Sequence, residues 1–349
     1  MTTPPAGSAS PSARPRRKAP LAFKLVALGI VAFFGFVVAE VGLRIAFPSM
    51  SVGPMQTRPD PYYGYWLRPN LDCRVKNSRG IRYHERTNSI GHRAPEYIDA
   101  PSGHVICLGD SYTMGETVDA GEEYAGLLRE ALRPEGFEVI NFGRAGNGQG
   151  RWLKFLKRDA KDYHPRLVVM QLCYNDFGDN EVEGLFRIGA DGALEELPVA
   201  GPRAIDRVRD MVEAIPGVPY LYTYQLLKQL ARGSGGAQGF HPDQKQLTAE
   251  ERSAQDALTF TLVRRCMELS RESGAGIVWT SVGLPDERIA QMRALGDEFG
   301  AIEIPVPYKD AQPDLYNSED PHWNARGQRF VADEILRVIR DEQLLDANP

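Results

Sequence analysis

Cysteine is scarce in this chain and never clusters. The 349 residues hold four, Cys73, Cys107, Cys173 and Cys266, without the short paired spacing that a zinc module or a disulfide-stapled scaffold requires. Cys107 and Cys173 lie in apolar runs and Cys266 in a helical pattern, where each is expected as a small buried hydrophobe. Cys73 has no such context. A basic excess is lacking too. The formal net charge is −5, opposite to the footprint of a nucleic-acid binder, so no nucleic acid is expected as a partner. Metal-ligand spacing, a phosphate-binding glycine loop and a dinucleotide fingerprint are all missing, so no metal or other cofactor is expected. No repeat of about 20–50 residues is visible, and no pattern fixes an oligomeric state.

Acidic residues are absent before Glu40, whereas Arg14, Arg16, Arg17 and Lys18 cluster ahead of an apolar stretch. Residues 1–20, rich in Pro, Ser and Ala, read as a disordered basic N-terminus. From Leu21 to Ala39 the chain is apolar except for Lys24, which can snorkel from the cytoplasmic end. These nineteen residues cover roughly 28 Å at ~1.5 Å each, close to the ~30 Å hydrocarbon core. Residues 21–47 are therefore expected to form a transmembrane anchor, giving the chain a membrane partner. The basic flank should stay inside. That makes a single-pass protein of the inner (cytoplasmic) membrane with an extracytoplasmic, periplasmic domain. A cleaved signal peptide ending at Val37-Val38-Ala39 is the alternative. The long basic flank and the continuing Val41, Leu43, Ile45 and Phe47 favour the anchor.

Residues 48–103 are rich in Pro, Tyr and Arg and read as a membrane-proximal strap, with short strands near Leu71–Val75 and Ile81–Thr87. Its run Tyr62-Tyr63-Gly64-Tyr65-Trp66 is either a carbohydrate-stacking patch or ordinary packing onto the next domain. Residues 104–345 then alternate strands and helices. Strands are expected at His104–Leu108, Phe137–Asn141, Leu167–Leu172, Gly276–Ser281 and Ala301–Val306. Helices are expected at Glu122–Leu132, Arg151–Asp162, Ala249–Ser270, Asp286–Phe299 and Ala325–Arg340. Such alternation means a parallel sheet covered on both faces, with sites at the carboxyl ends of its strands. An insert at 177–247 breaks the rhythm. It carries a hairpin around Gly189–Gly192, a helix over Tyr220–Ala231 and a flexible glycine-rich run, Gly233–Gly239. Leaving the sheet just after Asn175, it is expected to hang over the site as a lid or cap, or to be a surface decoration.

The chemistry concentrates at strand ends. Val105-Ile106-Cys107-Leu108 breaks into Gly109-Asp110-Ser111, as a buried strand does when it delivers a hydroxyl to a sheet edge. Far downstream, Asp320-Pro321-His322-Trp323-Asn324 brings a carboxylate and an imidazole together ahead of an amphipathic helix that Asn324 can cap. A serine needs such a base and orienter to act as a nucleophile near neutral pH. These residues point to ester hydrolysis or acyl transfer. His84, His92, His104, His164 and His241 lack the Asp-x-His context and are expected to be structural or superficial.

In chain order Ser111, Gly146, Asn175 and His322 resemble the four blocks of the SGNH/GDSL hydrolase superfamily, and Gly109 to Glu116 is similar to its membrane-anchored bacterial form. The resemblance spans about residues 104–340. It implies a three-layer α/β/α fold with a parallel, flavodoxin-like sheet. It also implies a nucleophilic Ser111, a base His322, and an oxyanion hole made of the Ser111 N–H, the Gly146 N–H and the Asn175 amide. Two blocks depart from the pattern. Cys173 stands where a glycine is usual, and the Asp-x-x-His spacing would select Glu319. The Asp-x-His-Trp-Asn form is similar to that of alginate-acetylating relatives and selects Asp320, with Glu319 as the fallback. Neighbours in an extended segment point to opposite sides, so one of the two should reach the imidazole. The implied activity is a serine esterase or acyl hydrolase acting on acetyl or other short acyl esters of envelope polysaccharide. The alternatives are a lipid or thioester hydrolase, a polysaccharide O-acetyltransferase, and a non-catalytic carbohydrate-binding scaffold of the same fold.

Overall fold

The computed structural model describes residues 20–232 and 247–346. The basic N-terminus, the Gly233–Gly239 run and His241 lie outside them. The chain divides into two units, Met1–Pro48 and Ser49–Pro349. The first contains α1 (Leu21–Ala46), 26 residues whose most apolar 18-residue stretch has a mean hydropathy of 2.5, long and apolar enough to cross a membrane.

In the second unit two short antiparallel hairpins come first, β1 (Thr57–Asp60) with β2 (Gly64–Leu67) and β3 (Asp72–Lys76) with β4 (Arg82–Arg86). The alternating part follows as β5 (Gly103–Gly109), α2 (Ser111–Met114), α3 (Tyr124–Leu132), β6 (Phe137–Gly143), α4 (Gln149–Arg158), β7 (Pro165–Cys173) and α5 (Asp176–Glu183). The insert contributes the β8 (Phe186–Ile188) and β9 (Leu194–Glu196) hairpin, α6 (Ala204–Glu213) and α7 (Tyr222–Arg232). The chain closes with α8 (Ala249–Glu272), β10 (Gly276–Val282), α9 (Asp286–Phe299), β11 (Ile302–Glu303) and α10 (Ala325–Asp341).

The central sheet is parallel, ordered β11-β10-β7-β5-β6, the doubly wound flavodoxin-like order. Its apolar strands face two cores. Ile106, Leu108, Ile140, Phe142, Val168 and Met170 meet Trp152 and Phe155 of α4 and Leu262 and Cys266 of α8. Val105, Cys107, Val139, Leu167 and Val169 meet Leu128 of α3 and Val331, Ile335 and Ile339 of α10. The period-2 alternation of strands thus makes three layers.

One expected strand changes, and two open alternatives become more definite. The expected strand Ala301–Val306 shrinks to Ile302–Glu303, because Pro305 and Pro307 offer no N–H to the ladder at a sheet edge. The aromatic run of the strap is not a surface patch. Tyr63 and Trp66 are each 4% exposed, and the Trp66 ring stacks on Phe142 at 4.3 Å. The described part of the insert docks on the strap. Tyr65 Oη donates to Asp206 at 3.0 Å, Met55 N to Glu213 at 2.8 Å, and Gln225 Nε2 to the Gly53 carbonyl at 2.9 Å.

Candidate active site

Ser111 opens α2 directly beyond β5, and Asp110 caps that helix, its Oδ1 accepting from Tyr112 N at 3.0 Å. The cap aims Ser111 Oγ at the loop before α10. His322 Nε2 lies 2.7 Å from Ser111 Oγ, and its Nδ1 lies 2.5 Å from Asp320 Oδ1. The structure therefore joins three sequence-predicted residues in one hydrogen-bond chain. The backbone N of His322 also donates to Asp320 Oδ1, at 2.9 Å. That bond makes the segment a tight bend rather than an extended stretch, so the side-alternation argument for choosing the carboxylate does not apply. Asp320 reaches the imidazole through this local turn, and Glu319 is exposed.

The loop is braced from several sides. Tyr112 Oη donates to the Pro321 carbonyl at 2.8 Å, and Asn317 N to the His322 carbonyl at 3.0 Å. Asn324 caps α10 through Arg326 N and Gly327 N. Asn77, from the strap, donates Nδ2 to the second Asp320 oxygen at 3.0 Å. Sequence reasoning missed Asn77. Its visible signal is only a turn, with Oδ1 accepting from Arg79 N and Ile81 N.

Electrostatics follow from this burial and pairing. Burial works against the imidazolium of His322, but the Asp320 hydrogen bond and the Glu116 and Asp320 charges outweigh it and lift its pKa to about 9. Asp320 goes the other way. Burial pushes its carboxyl up, and the His322 and Asn77 contacts overcome that and hold it below the usual range. Burial raises the Asp110 carboxyl to about 6.

Gly146 and Asn175 sit beyond the ends of β6 and β7, on the rim that carries Ser111. Gly146 has φ +62°, a left-handed conformation. A Cβ there would meet nothing closer than the Asp179 carboxylate at 3.9 Å, so backbone conformation, not crowding, explains the glycine. Asn175 Nδ2 donates to Asp179 at 2.6 Å. Asp179, one helical turn on, thus holds the Asn175 amide, and no sequence signal marked it. Asp176 Oδ2 accepts from Cys173 N at 2.9 Å and Gln149 Nε2 at 2.6 Å, tying down the turn. The Cys173 side chain is 0% exposed, so the departure from glycine does not intrude on the rim.

A hydroxyl within hydrogen-bond reach of an imidazole that is backed by a carboxylate can lose its proton as it attacks an acyl carbon. The family match agrees with that chemistry. Residues 107–330, well over half of the chain, match the GDSL-like Lipase/Acylhydrolase family. No curated protein matches the chain. Among solved structures it is similar to the psychrotrophic esterase EstA from Pseudoalteromonas sp., at 14% identity over 69% of this chain and 98% of that one, with a TM-score of 0.40. It is also similar to a lipolytic protein of the G-D-S-L family from Desulfitobacterium hafniense, at 11% identity over 68% and 99%, TM-score 0.38. A third is the acetyl xylan esterase AlAXEase, at 15% identity over 68% and 99%, TM-score 0.38. The chain belongs to the GDSL-like lipase/acylhydrolase family and is a serine hydrolase acting on ester bonds.

Proposed function

We propose that Ser111 is the nucleophile of an esterase, with His322 as general base and Asp320 as its orienter. The unbroken chain Asp320–His322–Ser111 carries this reading. Ser111 Oγ attacks the acyl carbon while its proton passes to His322 Nε2. The tetrahedral oxyanion forms against the Ser111 N–H, the Gly146 N–H and the Asn175 amide. Collapse expels the alcohol, which takes the proton from His322, and leaves an acyl-enzyme. Water, activated by the same imidazole, then releases the acid. The position of Gly146 and Asn175 beyond the ends of β6 and β7, on the rim that carries Ser111, supports the oxyanion role.

The natural substrates in this reading are acetyl or other short acyl esters on envelope polysaccharide. The location supports it: α1 can anchor the chain, and the basic cluster Arg14 to Lys18 favours a cytoplasmic N-terminus. The hydrolase domain then faces the periplasmic side of the inner membrane, where such polymers are assembled. The purified protein should hydrolyse methyl acetate, and Ser111→Ala should remove that activity. Equal turnover by the variant would take Ser111 out of the mechanism.

A further inference from the structure

We infer that Tyr174 and Tyr308 form a stacking site for a pyranose ring in the alcohol half of the substrate. The inference rests on the polysaccharide-ester reading and adds where the sugar sits. Tyr174 directly follows β7 and precedes Asn175, and Tyr308 lies in the loop after β11. They are 37% and 38% exposed, unlike Tyr63 and Trp66 of the strap, which the core absorbs. The two rings converge on Gly283, just past β10. A Cβ on Gly283 would stand 3.1 Å from both Tyr174 Cδ1 and Tyr308 Cε2, and its φ is +65°. The fold therefore brings two tyrosines together at a point that only glycine tolerates.

The backbone of Tyr174 and the ring of Tyr308 are held in place. Tyr174 N donates to the Val282 carbonyl at 3.1 Å. The Tyr308 ring meets Tyr316 edge-on, with centroids 5.9 Å apart, and Tyr316 is bridged to Trp323, the neighbour of His322. Lys309 Nζ, next in sequence to Tyr308, donates to the carbonyls of Asn317, Ser318 and Asp320 at 2.6, 3.0 and 3.3 Å. The pair is thus tied to the loop that carries Asp320 and His322. In the sheet order, β10 ends two strands from β5, on the order of 10 Å from Ser111 at about 4.8 Å per strand. A sugar stacked there would keep its ester-bearing substituent within reach of the serine.

The chemistry of the pair selects a sugar over an acyl chain. Tyr112 and Tyr316 donate their hydroxyls to the Pro321 and Pro307 carbonyls, whereas those of Tyr174 and Tyr308 bond to no described residue. An aromatic face with a free hydroxyl at its edge matches a pyranose, which has an apolar C–H face rimmed by oxygens. A long acyl chain gains most from an enclosed apolar channel, which a half-exposed pair does not supply.

The test compares kcat/KM for glucose pentaacetate and for methyl acetate in the full-length protein. Tyr174→Ala and Tyr308→Ala should each lower the ratio of the two values about tenfold, the size of a lost ring contact. Tyr174→Phe and Tyr308→Phe, which keep the stacking faces and lose only the edge hydroxyls, should lower the ratio less, by about two- to threefold. Leucine variants give the same readout where an alanine variant does not fold. An unchanged ratio in the ring-deleted variants overturns the site, as does an equal loss in the phenylalanine variants. A selective loss on methyl palmitate would overturn it too, by making the pair an acyl site. Ser111→Ala, run alongside, keeps the two readings apart. Unchanged turnover there sinks the esterase reading, whereas an unchanged ratio with Ser111-dependent turnover sinks only the tyrosine site.

Discussion

At the scale of single residues, two adjacent carboxylates have opposite fates. Asp320 is buried against His322 and Asn77, while Glu319 faces solvent. Asp320→Asn should lower kcat by about 10⁴, as losing an orienting carboxylate does in a serine triad, and Glu319→Gln should stay near wild type. Steady-state rates on methyl acetate distinguish them, and the reverse ranking would move the orienter to Glu319. The pH dependence has a defined sign. His322 must be neutral to accept the Ser111 proton, and its pKa is raised to about 9. Hence kcat/KM should climb with pH to a midpoint near 9, and Asp320→Asn should move that midpoint down. The same pair shapes stability. The raised His322 contribution is complete below its ordinary 6.5 and fades as pH rises through about 9. The lowered Asp320 contribution is present above its ordinary 3.8 and is lost on acidification. Asp320 and His322 were legible as a motif because they are neighbours. Asn77 was not, since its role appears only when a strap residue 243 positions away folds against Asp320.

At the scale of elements, the strap acts as a clamp on the helix that presents Ser111. Arg93 is fully buried and donates Nη1 to the Met114 carbonyl at 2.7 Å and to the Gly115 carbonyl, and Nη2 to Val118 at 2.6 Å and His84 at 3.2 Å. Its Nε lies 3.5 Å from Glu85, and burial raises that carboxyl to about 7 despite the guanidinium. Arg93→Ala removes the cation beside the buried Glu85 carboxyl and one donor from each of four carbonyls. It should destabilise the protein by about 3–5 kcal/mol, measurable by urea unfolding; a loss under about 1 kcal/mol would mean that water replaces the guanidinium. The main strands could be read within a residue or two, because β5, β6, β7 and β10 are apolar runs bounded by turn residues. The hairpin of β1 and β2 could not, because Pro59 interrupts one short strand and the pairing needs the Asp60 turn, whose Oδ1 accepts from Tyr62 N and Tyr63 N. Helix α6 hid in the insert because its anchors, Asp206 and Glu213, bond to strap residues.

At the scale of the whole molecule, the chain carries a membrane-competent helix ahead of a hydrolase domain. The full chain should sediment with membranes after an alkaline wash, and its mature N-terminus should precede Leu21. A mature N-terminus beyond Ala39 would instead identify a cleaved signal. Covalent labelling by a fluorophosphonate probe, read by mass spectrometry on the full-length protein, bears most directly on the central claim. A single adduct on Ser111 is expected, slowed strongly in His322→Ala and missing in Ser111→Ala. An adduct on another residue, or no adduct on folded protein, would contradict it.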